Sequence, residues 1–108
     1  DLEVGPKGRR RQYDVLIFAR AEDGREKVFV AEVKNQGRSD DFNQMKSSLE
    51  ALPELFPAVK GKGIVPVLAA FRFDEGVETY ANKRGVLLVR MGGEYLEPLN
   101  SDVLKKYL

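Results

Sequence analysis

Glu32 and Lys34 are the side chains whose type and placement first suggest chemistry. An apolar run over residues 28–33 carries a carboxylate and an ammonium two positions apart, in Ala31–Glu32–Val33–Lys34–Asn35. Residues i and i+2 of a strand share a face, so both charges stand side by side at the end of an otherwise buried strand. Desolvating an unpaired charge is costly, so the pair needs a partner: a metal ion, an acidic neighbour, or both. Asp14 is the acidic neighbour that the sequence offers. Residues 13–18 and 27–34 read as two strands of a hairpin around Glu22–Asp23–Gly24, and its register decides whether Asp14 meets Glu32. A two-residue turn puts the two carboxylates on opposite faces. A three-residue loop with Gly24 in the left-handed conformation pairs Ala21 with Arg25 and sets Asp14 opposite Glu32, Cβ atoms roughly 4.5–5.5 Å apart. Gly24 stands where that loop needs a glycine, so the second register is expected.

Asp14 and Glu32, with the Val33 backbone carbonyl and several waters, form a donor set for a divalent cation. The 108-residue chain has no histidine and no cysteine. That excludes disulfides, zinc–thiolate sites, thiol nucleophiles and the commonest general base. A metal held by oxygen alone is magnesium, manganese or calcium rather than zinc. A cation-bound water is a usable nucleophile, and Lys34 beside it can orient that water and stabilise charge developing on a phosphate. Phosphodiester hydrolysis needs this combination.

The elements that must position these residues follow from periodicity. Residues 2–4 read as a short strand or its remnant, and Gly5–Pro6–Lys7–Gly8 as a turn. After Lys34, Gln36–Gly37–Arg38 breaks the strand. Ser39 can cap a helix, and Asp40 and Asp41 suit its positive end. Phe42, Met45, Leu49, Leu52 and Phe56 recur at helical spacing, with Pro53 ending or kinking the helix. Residues 64–71 form an apolar run that reads as a central strand covered on both faces. Asp74 can cap a helix over residues 75–84, with Gly85 as its stop. Residues 86–90 read as another buried strand, 95–99 as an edge strand and 102–108 as a terminal helix. A hairpin followed by alternating helices and strands indicates an α/β fold: a mixed central sheet flanked by helices.

In this order, Asp14, then Glu32–Val33–Lys34 on the next strand, then an amphipathic helix, resembles the PD-(D/E)xK nuclease superfamily, in particular its restriction-endonuclease-like and Holliday-junction-resolvase-like branches. The resemblance covers residues 13–90. It implies a restriction-endonuclease-like core of order α-β-β-β-α-β, with Asp14 and Glu32 as metal ligands and Lys34 as the catalytic lysine. It also implies an accessory glutamine, Gln44 at the start of the helix or Gln36 close after the lysine. The implied activity is Mg²⁺- or Mn²⁺-dependent cleavage of DNA, and a homodimer would offer one site per strand of a duplex. The chain opens with Asp1 and is expected to be a single nuclease-like domain, residues 1–108, cut from a longer protein whose first helix lies upstream.

Each residue also has a plainer reading. Glu32 and Lys34 can be an exposed pair worth about 0–1 kcal/mol. Asp14 can pair with Arg11 or Lys34, and Gln44 can be a solvated or capping side chain. Arg9, Arg10 and Arg11 can be a solvated face, although their place beside Asp14 suits phosphate contact. A net charge of +1 means that nucleic-acid binding would rest on such local clusters. The same fold could serve binding or assembly without catalysis, or residues 103–108 could form an apolar dimer interface. With 43% hydrophobic and 32% charged residues, and no apolar run long enough to span a bilayer, a cytoplasmic globular protein without membrane contact is expected.

Overall fold

The computed structural model describes residues 2–4, 11–20 and 23–107. Strands β1 (Leu2–Val4) and β2 (Arg11–Tyr13) form a small antiparallel ribbon. The main sheet has five strands in the order β3-β4-β5-β6-β7, with β3 Val15–Arg20, β4 Glu26–Gly37, β5 Gly63–Phe73, β6 Leu87–Gly92 and β7 Tyr95–Pro98. The central strands β4, β5 and β6 run parallel, and β3 and β7 are antiparallel edges, so the sheet is mixed as expected. Helix α1 (Asp41–Leu55) links β4 to β5, and α2 (Val77–Arg84) links β5 to β6.

The 3.6-residue spacing of Phe42, Met45 and Leu52 buries one stripe of α1. Phe42 and Met45 meet Leu68 and Leu88 from the sheet and Val77 and Ala81 from α2. Lower on α1, Leu52 closes over Val28 and Val30 together with Val59. Both helices therefore cover the sheet face to which the even-numbered residues of β4 point. The opposite face carries Ala31, Val67 and Leu87, with Leu104 of a C-terminal 3-10 turn (Ser101–Tyr107) packed on them.

Several boundaries differ from expectation. The chain bends at Asp14, so the anticipated strand over 13–18 divides into β2 and β3. Pro53 lies inside α1, and the helix continues past it to Leu55. Ser39 does not cap α1: the position before the helix is Asp40, without a side-chain cap, and the Asp41 carboxylate accepts from the Arg38 N–H at 2.8 Å. Helix α2 starts at Val77, behind Gly76 at φ 84°, rather than at Glu75, and the Asp74 side chain is not its cap. Residues 101–107 wind as 3-10 rather than as an α-helix, and Val103 is buried.

Candidate active site

Asp14 and Glu32 come together through strand register. The β3–β4 ladder pairs Arg20 with Glu26 and Val15 with Ala31, where it ends with Asp14 and Glu32 as the next residues of the two strands. This is the register of the three-residue loop, and Gly24 adopts φ 88°, the left-handed geometry that loop requires. The regular ladder ends at Val15 because the chain bends at Asp14. The Val33 N–H donates instead to Asp14 Oδ2 at 2.7 Å. A side chain thus replaces a lost backbone partner, and the bend fixes the Asp14 carboxylate beside the β4 residues that carry Glu32 and Lys34.

Glu32 and Lys34 lie on one face of β4, the face on which Val28 and Val30 meet α1. The core ends at Val30, and the charged residues begin where the apolar cover of α1 gives way to its first turn. Asp14, Glu32 and Lys34 are all half-buried. Partial burial, and next the nearby Asp14 carboxylate, push Glu32 above the usual carboxylate range; Lys34 pulls in the other direction, and Asp41 adds to the rise. A half-buried carboxylate crowded by a second one is in an environment that a cation would relieve. The donor chemistry therefore fits magnesium or manganese, although no three carboxylates among the described residues gather into a metal-holding group.

The other expected residues fall into three groups. Gln36 is exposed near the end of β4, and its Nε2 donates to Asp74 Oδ1. Gln44 is exposed on α1. Arg11 begins β2, which lies against α1, and its side chain is outside the described residues, as are Arg9 and Arg10 altogether.

Three nearby features were not singled out from the sequence. Asp41, at the head of α1, is close enough to raise Glu32. Asp74 holds Gln36. Arg72 stands in register beside Gln36, so with Lys34 it adds positive charge at this end of the sheet. The signal for Asp41 and Asp74 was present, but both also fit the common roles of carboxylates near helix starts.

No family model matches the chain, and no curated protein matches it. Among solved structures, a repair endonuclease from Pyrococcus abyssi superposes with a TM-score of 0.50 at 23% identity, over 68% of this chain and 30% of that one. EndoMS in its apo form superposes with a TM-score of 0.48 at 21% identity, over 74% of this chain and 33% of that one. The chain thus spans about a third of the length of these two chains. Over the matched part, the mixed sheet with its helices has the fold of the Pyrococcus abyssi repair endonuclease.

Proposed function

We propose that the chain is a nuclease domain that hydrolyses phosphodiester bonds in DNA with the help of Mg²⁺ or Mn²⁺. The observation that supports this reading is that Asp14, just beyond the end of the β3–β4 ladder, accepts from the Val33 N–H and lies near enough to Glu32 to raise its carboxyl, two residues from Lys34 on the same strand. Asp14, Glu32 and the Val33 carbonyl would hold the cation. When bound, it supplies a more acidic water and neutralises charge on the phosphate.

The protein's own groups do the rest. Asp14 is restrained by the Val33 N–H through one oxygen, which leaves the other for a ligand. Burial and the nearby Asp14 carboxylate raise Glu32 above the usual carboxylate range, a crowding that a divalent cation would relieve. Lys34 supplies only hydrogen-bond donors, which suit the attacking water and the non-bridging oxygen that gains charge. The water oxygen bonds to phosphorus, the bond to the leaving oxygen breaks, and one water proton ends on that leaving group. Arg9, Arg10 and Arg11, with Gln44 or Gln36 as accessory, would hold the strand and the water. A homodimer would cut both strands of a duplex.

The test is cleavage of labelled DNA with Mn²⁺ by the chain and by its Asp14→Ala, Glu32→Ala and Lys34→Ala variants. Each substitution is expected to lower the rate at least about 10²-fold. Cleavage that survives both acidic changes would exclude this site. A wild type that binds DNA but cuts none with any divalent metal would instead favour a catalytically inactive domain used for nucleic-acid binding or assembly.

A further inference from the structure

We infer that the open face of the sheet is a docking surface for a second copy of this chain, an inference that does not depend on the nuclease reading above. Val15 and Ile17 of β3 lie cross-strand from Ala31 and Phe29, on the face away from both helices. Val33 continues that face two residues beyond Ala31 and is in register with Ala69, which stands beside Val89. Val89 packs on Ala31, Val67 and Leu87, and two residues further on Met91 pairs with Leu96. Phe71 lines one depression with Met91 and Leu96, so the apolar surface reaches across all five strands. The C-terminal 3-10 turn, through Leu104 and Tyr107, covers the face only toward its Phe29 and Lys27 end.

Single apolar residues on a surface need no explanation, but a contiguous patch does. Val15, Ile17, Val33, Phe71 and Leu96 are 38% to 69% exposed and together leave on the order of 500 Å² open, as much as the largest patch on an ordinary soluble monomer. Two copies set face to face would remove about 1,000 Å² from water at these residues alone, the extent at which a specific interface begins to hold. The chemistry suits a self-match. Two-fold pairing lays the same patch against itself, and these five side chains carry no charge to repel its copy and no polar group to leave unpaired. A nucleic-acid backbone would find no cation among them. Strands laid on strands can interdigitate their side chains at a separation of about 10 Å, as two sheets do within one domain. Glu32 and Lys34 lie on the other face of β4, so the pairing leaves the candidate active site of each copy uncovered.

The experiment is sedimentation equilibrium of the chain over roughly 1–500 µM, beside its Ile17→Glu, Leu96→Lys and Phe18→Glu variants. Phe18 is 46% exposed but lies on the helix side of β3, against Phe56, so its variant controls for added charge. The wild type is expected to reach the mass of two chains at high concentration and to dissociate on dilution. Ile17→Glu brings a carboxylate from each copy into the closed interface and should raise the dissociation constant at least about 100-fold, as should Leu96→Lys. Phe18→Glu should associate as the wild type does. In methyl NMR spectra of the wild type, Ile17 and Val33 signals should shift between the two ends of the concentration range, while those of Val28 and Leu52 in the helix-side core stay in place. The methyl shifts need no substitution, so they decide the matter even where a variant fails to fold.

A wild type that keeps the mass of one chain throughout would overturn the inference; dye binding (anilinonaphthalene sulfonate) that is lost in Ile17→Glu would then assign the face to a different partner. A dimer that survives both Ile17→Glu and Leu96→Lys would overturn it too. So would a mass that grows past two chains, or methyl shifts confined to the helix side. None of these outcomes depends on DNA cleavage, so each leaves the nuclease reading untouched.

Discussion

Glu32 is the residue whose chemistry most directly reports the site. Its carboxyl is raised by burial and by Asp14, so the folded chain holds that proton more firmly than the unfolded chain does. The stability contributed by the protonated form is complete below the ordinary glutamate range and is lost as pH rises through the raised value. Glu32→Gln removes this dependence. The variant is expected to melt at or above the wild-type temperature at neutral pH, with the difference shrinking in acid; thermal unfolding at several pH values checks it. A variant less stable than wild type at neutral pH would show that Glu32 is a structural partner rather than a strained ligand. The β3–β4 register was legible in the sequence because one glycine, Gly24, decides between two registers. Asp74 was not legible as a partner of Gln36, because its choice between helix cap and neighbouring strand depends on the β4–β5 alignment, a contact between residues far apart in the chain.

At the scale of elements, the site depends on β4 running past the end of the hydrophobic core and still stopping at a defined point. Gly37 supplies that stop. A Cβ there would lie 2.5 Å from Phe73 Cδ1 and 3.3 Å from Leu68 Cδ2, so the strand end can close on β5 only without a side chain. Gly37→Ala is expected to cost about 1–3 kcal/mol in denaturant unfolding, through forced displacement of the Phe73 ring. On the far side of the sheet, buried Asn100 accepts from the Leu88 N–H at 2.8 Å and donates to the Val86 carbonyl and to Asn82 Oδ1. Asn100→Ala leaves these groups unpaired and should cost about 1–3 kcal/mol in the same measurement, with β6 and β7 affected first. Helical periodicity and the apolar run made α1 and β5 readable. The break at Asp14 was not, because residues 13–18 alternate as one strand and only the tertiary bond from Val33 repays the bend.

The whole molecule places its chemistry at one end of a sheet whose two faces differ. Both helices cover one face. The other is partly covered by the C-terminal 3-10 turn and leaves Ile17 and Phe71 about half exposed, at 52% and 53%. That both helices share a face was not legible, since alternating strands and helices fit either placement. With a net charge of only +1, DNA binding must come from a few cations, Lys34 and Arg72 among the described ones. The plot of log affinity against log salt is therefore expected to have a shallow slope, about −2 to −4; a steep slope near −8 would mean a far larger basic surface than this end of the sheet provides. The central claim is that Asp14 and Glu32 together hold a divalent cation, and calorimetric titration of Mn²⁺ at one fixed low salt, into the chain and into its Asp14→Ala variant, tests it most directly. Wild-type binding that is lost in the variant, and that weakens in acid at a pH above the ordinary glutamate range, is the expected result. Equal binding by the two proteins, or no binding by the wild type, would contradict it.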